Sequence, residues 1–468
     1  MAHDFRPYTP EQPHLLPASP QDWLLSDHLA YCVRDVVAEL DLSAIEGGYS
    51  RDGRGAPPYH PRMVVSLLLY AWCSQIFSSR KIARLCVDDL GGRFLAAGHQ
   101  PDHRCINDFR LRHGEGLRGL FLQSLRFCQR AGMVSLGQVA LDGTKLAAAA
   151  SKHKAMSYGR MVEEEARLAA EVEGMLRRAA EADAAEDQQF GKDHPGSLFP
   201  EELARRQSRR EKLREAKAAL EAEVREAAQR KREQYEERQR VREELGEARW
   251  GGKPPEDPDQ ARPKAKAQRN FTDPESRIMK GGDGAWVQGY NAQATVDTDA
   301  QVIVACDLTD QAADAPHVAE QIEQTIRNTG FIPDSVSADA GYFSGENVHY
   351  LEWRGLRALI PPDKGRHGRP AEPVAPLPEE ELARLSTTER LRHQLSTAEG
   401  RAAYAKRKIT VEPTFGQIKG CPGAPGFRAF LRRGIVKCRQ EWSWVCATHN
   451  FKKYIRFRLT QQGSAVPA

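Results

Sequence analysis

Three carboxylates stand where one acid alone is hard to explain. Asp142 follows a short apolar run in VALDGTKL, Asp339 follows another in SVSADAGYFS, and Glu412 lies in VEPTFGQIKG. Proline is suited to the first turn of a helix, so Pro413 places Glu412 at a helix start. Lys419, nearly two turns further on, then shares one face with it. Just upstream runs a basic segment, Tyr404-Ala405-Lys406-Arg407-Lys408. Three carboxylates gathered within a few ångströms repel one another and drive a proton back onto at least one. A divalent cation among them removes the conflict. Hard oxygen ligands suit Mg²⁺, with Mn²⁺ as the alternative, and such an ion keeps waters and binds substrate phosphates. Two ions about 4 Å apart activate a water or a 3′-hydroxyl and stabilise the departing oxygen of a phosphodiester. The expected centre is therefore Asp142, Asp339 and Glu412 around metal, with neighbouring basic residues on a nucleic-acid backbone.

Such a centre needs elements that end near one another. GQVALDGTKL reads as a buried strand ending at Asp142 and followed by a turn. AWVQGYNAQATVD and QVIVACDLT read as a hairpin about Asp297-Thr298-Asp299-Ala300. A helix is expected from about Ala315 to Asn328, a strand ending at Asp339, a strand in LRALIPP, and a closing helix through Trp442, Trp444, Val445 and Phe451. The order strand, hairpin, helix, strand, helix, strand, helix describes a mixed sheet with helices on its faces, an α/β layout. Open α/β sheets place working groups at strand ends.

Around this frame the composition changes in blocks. Residues 1–135 read as helical, after a lead-in through Pro7, Pro10, Pro13, Pro17 and Pro20. Short helices with Arg104, Arg110, Arg112 and His113 on the last suggest a helix-turn-helix on DNA; a compact bundle with a wet basic face is the competing reading. Residues 160–250 are rich in Ala, Glu, Arg and Lys. They read as two long helices broken at FGKDHPGSLFP, the second extending roughly 70 Å. A protruding antiparallel hairpin and a coiled coil with another chain both fit its thin apolar stripe. Residues 251–270 read as a flexible Pro/Gly/Lys linker, and 365–400 as a polar, loop-rich insertion. The expected domains are 1–135, a catalytic domain from 136–159 and 271–460, the helical insertion 160–250, and the linker.

At 468 residues the chain is long enough for two to four domains. Its net charge of +4 does not by itself announce a nucleic-acid binder; the clustering of basic residues does more. No signal pattern opens the sequence, and the most apolar run, Met63 to Cys73, is too short for a bilayer. A cytoplasmic, nucleoid-associated protein is expected. Nine cysteines without a C-x-x-C pair point to reduced thiols rather than zinc.

The motifs LDGTKL (141–146), SKHKAMSYGR (151–160), TDPESRIMK (272–280), GYNAQ (289–293), ADAGYFS (338–344) and VEPTFGQIK (411–419) resemble DDE-type transposases of bacterial insertion sequences. The likeness spans six ordered blocks and nearly the whole chain. It implies an RNase H-like catalytic domain in which Asp142, Asp339 and Glu412 bind metal. It also implies DNA cleavage at element ends and strand transfer into target DNA. Related members carry a Tyr, Arg, Glu, Lys signature spaced two, three and six. Tyr404 and Arg407 fit the first gap, and Glu412 and Lys419 the last. The middle gap is four, so either Arg407 or Lys408 fills the basic position. Tyr404 and Lys419 are implied to hold phosphates near the reacting strand end. Lys145, Lys152 and Lys154, close after Asp142 in sequence, are candidates for phosphate contact, with a solvated loop as the default. The partners implied are terminal repeats, target DNA and a second copy of the chain. A metal-dependent nuclease without joining, or a non-catalytic DNA-binding descendant, are the rival readings. Tyr342, Trp286, Tyr290 and Asn291 read as packing residues. Asp314 and His317 either line the site or start a helix.

Overall fold

The computed structural model describes residues 19–49, 57–190, 200–244, 253–281, 284–363, 372–420, 425–461 and 463. Most of the proline lead-in, nearly all of the break at FGKDHPGSLFP and residues 365–371 of the 365–400 segment lie outside them. The chain opens with α1 (Leu29–Ala38), α2 (Ser43–Glu46), α3 (Pro61–Cys73), α4 (Ser79–Asp88), α5 (Leu90–Leu95), α6 (His103–Arg112) and α7 (Gly114–Arg130). Strand β1 (Gln138–Ala147) follows, then β2 (Ala155–Ser157), α8 (Tyr158–Phe190), α9 (Pro200–Glu244), β3 (Gln268–Asn270) and β4 (Arg277–Lys280). Next come β5 (Trp286–Asp297), β6 (Ile303–Thr309), α10 (Val318–Thr329), β7 (Ser335–Ser337), α11 (Gly345–Trp353) and β8 (Arg357–Leu359). The chain closes with α12 (Glu379–Arg384), α13 (Thr387–Ser396), α14 (Ala398–Lys419) and α15 (Ile435–Gln461).

The fold is mixed α/β. Its main sheet runs β4-β5-β1-β7-β8, with β6 paired to β5. β1, β7 and β8 are parallel, in register from Gln138 opposite Ser335 and Ser335 opposite Arg357, while β5 and β6 form an antiparallel pair. The expected order of strand, hairpin, helix, strand, helix, strand is therefore present as β1, β5–β6, α10, β7, α11 and β8.

Two compact units divide the chain, with boundaries inside β1 and β5: residues 1–146 with 291–468, and residues 147–290. In the first, the α1–α7 region shares a unit with the sheet. Local signals start its helices: Pro61 occupies the first turn of α3, and the side chains of His28, His60, Asp89 and Asp102 cap α1, α3, α5 and α6. α3 is buried without interruption from Val64 to Cys73, which is why it reads as apolar all round. Under the sheet, Val139, Leu141, Val304, Val318, Ile322, Val336, Tyr342 and Ile360 form one core. α15 packs on that core through Tyr454 and Phe457 and buries the expected Trp442, Trp444, Val445 and Phe451. Its Asn450 binds the backbone of Ile303 through both a donated and an accepted hydrogen bond, each 2.9 Å.

In the second unit α8 and α9 run antiparallel. Met161 and Leu168 pack on Leu213, Ala216 and Leu220, and ion pairs join Glu165 to Lys217 and Glu171 to Arg206. The segment read as a flexible linker contains structure: Gln268–Asn270 pairs antiparallel with Ala155–Ser157, and Ala261 is buried. Arg269 and Arg277 both pair with Glu223 of α9, which fixes β3 and β4 beside that helix. The 365–400 segment is likewise not all loop, since α12 and α13 fall within it, α13 behind a capping box of Ser386 and Glu389. Cys32, Cys73, Cys86, Cys105, Cys128, Cys306 and Cys446 are free thiols, and no described helix is long and apolar enough to cross a membrane.

Candidate active site

β1 does not stop at Asp142. It runs on through Gly143-Thr144-Lys145-Leu146 to Ala147, so the acid is a mid-strand residue. The glycine that reads as a turn residue has another role. A Cβ at 143 would collide with the Gln293 amide and lie 2.8 Å from Asp314 Oδ1 and 2.9 Å from Asn291 Oδ1, so these side chains close over the backbone here because the residue is glycine. Gly143 N–H also donates to Asp142 Oδ1 at 2.9 Å. Asp339, just beyond β7, caps a short 3₁₀ turn by accepting from Gly341 N–H at 2.8 Å.

Arg407 of α14 faces both acids. Its Nη2 lies 3.1 Å from Asp142 Oδ2 and 4.0 Å from Asp339 Oδ2. Asp142 is largely enclosed and Asp339 is half-exposed. Burial pushes the Asp142 carboxyl up to about 6; Arg407 and the Gly143 N–H oppose this, while Asp339 and Asp314 add to it. Tyr404, one turn before Arg407, is half-buried, and burial raises its phenol above the ordinary range.

A third acid belongs to this cluster, and it is Asp314. Its Oδ1 accepts from Lys145 Nζ at 3.0 Å, Asn291 Nδ2 at 2.7 Å and Gln293 Nε2 at 2.9 Å. Gln293 accepts in turn from the Tyr342 hydroxyl. Asp314 makes no side-chain cap for the turn it precedes, so its alternative role as a helix starter does not hold. Tyr342, Asn291 and Gln293 form the polar floor beneath the acids, not apolar packing alone.

Several expectations are corrected. Pro413 does not open a helix; it lies inside α14. Glu412 is consequently a mid-helix residue with an exposed side chain. It lies five positions after Arg407, which turns the two about 140° apart on a continuous helix. Among the described residues, no three His, Cys, Asp or Glu side chains come close enough to hold a metal ion together. Tyr404 lies within electrostatic reach of Asp142, Asp339 and Glu412, so the three expected acids share one region without forming such a group. Two carboxylates turned toward one cationic group do suit an Mg²⁺ that takes one or two protein carboxylates and fills its shell with water and phosphate oxygens.

The basic residues separate into three groups. Arg407 is drawn into the acids, whereas Lys408 is exposed on another face of α14. Lys145 is committed to Asp314 and is not a free phosphate contact. Arg110 is buried: its guanidinium pairs with Glu441 at 2.7 Å and covers the Trp72 ring, which removes it from a DNA-facing set. Arg104 is exposed on α6, Lys152 and Lys154 are exposed in the 147–290 unit, and Lys419 ends α14.

The proline in α14 leaves a mark that local sequence does not reveal. Proline has no N–H to give the carbonyl four residues back. Gln301, in the β5–β6 turn, donates Nε2–H to that Ile409 carbonyl at 2.8 Å. The same amide accepts from Lys453 Nζ at 2.7 Å and Gln417 Nε2 at 3.2 Å. Gln301 holds a left-handed backbone, φ 57°, to do so.

Two family models match the chain: a transposase DDE domain over residues 255–451, and a transposase domain (DUF772) over residues 19–112. The first includes Asp314, Asp339, Tyr404, Arg407 and Glu412, and Asp142 lies before it. No curated protein and no solved structure matches. The chain thus carries a transposase DDE domain, which includes Asp339 and the α14 basic residues, and a second transposase domain ahead of it.

Proposed function

We propose that this protein is a transposase that cuts DNA at the ends of an insertion sequence and joins the freed ends to target DNA, using a divalent metal. The observation that carries the reading is the sharing of Arg407 between Asp142 and Asp339. Two acids, one on β1 and one just after β7, facing one cation beside a basic helix suit metal-assisted phosphodiester chemistry. A hairpin β5–β6 set against parallel β1, β7 and β8 supports an RNase H-like catalytic fold.

A bound Mg²⁺ supplies Lewis-acid activation of the attacking oxygen and stabilises the leaving one. Asp142 and Asp339 are the residues to hold it, and Glu412 is proposed as the third acid of the DNA-bound state. Arg407 keeps the two aspartates together in the free protein. Its Nε is buried and has no hydrogen-bond partner, a donor that a strand phosphate can satisfy. Tyr404, Lys408 and Lys419 lie along α14 to bind the same backbone. Arg104, Lys152 and Lys154 are proposed as further phosphate contacts, with two chains assembling on two element ends.

The test is incubation of the protein with its own flanking DNA, with and without Mg²⁺, scoring both nicking and joining to a target plasmid. Metal-dependent nicking with joining is expected. Nicking alone identifies a nuclease. The exposed position of Glu412 favours a second reading, a non-catalytic DNA-binding descendant, and binding without any cleavage would establish it.

A further inference from the structure

A cavity of about 460 Å³ lies within the unit formed by residues 1–146 and 291–468, on the Pro413–Ile418 side of α14. Small-molecule sites typically measure roughly 300–1,000 Å³. One side is apolar: the part-exposed Phe77 ring is its accessible aromatic, backed by the buried Trp72, Phe427 and Ile418. The other is a single stripe of α15: His449, Lys452, Lys453 and Arg456, spaced to share one helical face.

The charge in that stripe is not balanced locally. No carboxylate is among the described lining residues. Lys452 Nζ reaches only the Cys73 carbonyl, at 3.3 Å, and Lys453 Nζ meets the neutral amide oxygen of Gln301. Burial, then the charge of Arg456, holds both amines below their ordinary range. His449 is pushed down to about 4 by burial, so it is neutral at pH 7 and donates Nε2–H to the Gln301 carbonyl. Three like charges converge on an apolar space, an arrangement that costs energy until an anion arrives.

We propose that this cavity binds a nucleotide, its base against the aromatic side and its phosphate on Lys452, Lys453 and Arg456. Aromatic side chains accept any base by stacking while basic groups hold its phosphate. A bare anion makes no use of the aromatic side, and an uncharged aromatic makes none of the stripe. The nucleotide can be free in solution or an unpaired residue of a DNA strand. Only the second source rests on the DNA-cutting reading above.

The test is a fluorescence titration of the full-length protein with 2-aminopurine deoxynucleoside monophosphate, its nucleoside and inorganic phosphate as competitor. A parallel arm uses duplexes carrying 2-aminopurine in an unpaired 3′ overhang or fully paired. Saturable quenching by the monophosphate or the overhang is expected, with nucleoside and phosphate each at least tenfold weaker. Lys452→Ala with Arg456→Ala should weaken binding at least tenfold, while Arg456→Lys retains it. Gly416 lines the cavity, and a Cβ there meets nothing within 4 Å. Gly416→Phe is therefore a folded variant that blocks entry, with folding checked by thermal melting. Quenching by the monophosphate alone identifies a free nucleotide as ligand, and by the overhang alone a DNA strand. Phosphate binding as tightly as the monophosphate, or no quenching by any probe, overturns the proposal. Binding by a chain that cleaves no DNA refutes only the transposition reading.

Discussion

Arg407 Nη2 sits 3.1 Å from Asp142 Oδ2, and this ion pair is what the protein offers its acids in the absence of metal and DNA. Burial nonetheless dominates and leaves Asp142 titrating near 6. A carboxyl raised above its unfolded value of 3.8 binds more protons in the folded state across that window. Stability is fully present below the unfolded value and is lost as pH rises through the folded one. Relative to Asp142→Asn, the wild type should lose on the order of 2–3 kcal/mol between about pH 4 and 7. Urea titrations of both proteins across that range check this; parallel curves count against it. The cleavage rate should also have an acid limb near pH 6, reporting the charged form of Asp142.

Asp142→Asn, Asp339→Asn and Glu412→Gln should each abolish cleavage, by at least a thousandfold, while DNA binding changes less than threefold. Gel-shift and nicking assays on the same preparations separate the two effects. Wild-type-like cutting by Glu412→Gln would leave the aspartate pair as the whole acidic centre and Glu412 as a surface residue of α14.

Arg110 and Arg104 share one helix and should behave in opposite ways. Arg110→Ala leaves Glu441 buried without its charge partner, which typically costs about 3–5 kcal/mol. Its effect on DNA binding should vanish once the unfolded fraction is corrected for. Arg104→Ala should leave the melting point within a degree or two and lower the salt dependence of DNA affinity by about one unit of slope. Binding measured at several salt concentrations, beside thermal melts, decides both.

Gln301 and Pro413 should be coupled. Gln301→Ala strands the Ile409 carbonyl and should cost about 1–3 kcal/mol. Pro413→Ala restores the N–H that this carbonyl lacks, so the glutamine matters less in that background. Strain at the left-handed position 301 and the lost contacts to Lys453 and Gln417 are the same in both backgrounds and cancel. A double-mutant cycle in denaturant should give a coupling of at least about 0.5 kcal/mol; strict additivity would show that the bond carries no net stability.

The order of the main sheet was legible because it rests on local patterns: apolar runs of strand length, a turn tetrapeptide, a helical period. What escaped was whatever depends on a distant partner. Gly143 resembles a turn glycine, yet it serves close approach to Asn291 and Asp314, neither of which is near it in sequence. Pro413 resembles a helix opener because nothing local says that a glutamine 112 residues earlier will tend the carbonyl it orphans. Arg110 looks exposed in a basic helix until Glu441, 331 residues away, is placed against it. That Arg407 turns toward the acids and Lys408 toward solvent depends on the continuity of α14 through Pro413, which local sequence does not announce. Asp314 carried a readable signal, an acid soon after the hairpin, but its weight came only from the three donors that converge on it.

Pro413 leaves α14 one main-chain rung short at Ile409, and the Gln301 side chain supplies the missing donor. Tyr404 and Arg407 lie before that gap, Lys419 beyond it, and Glu412 directly beside it. The helix that meets the aspartates is therefore tied to the β5–β6 turn at the place where its own backbone leaves a carbonyl unmet.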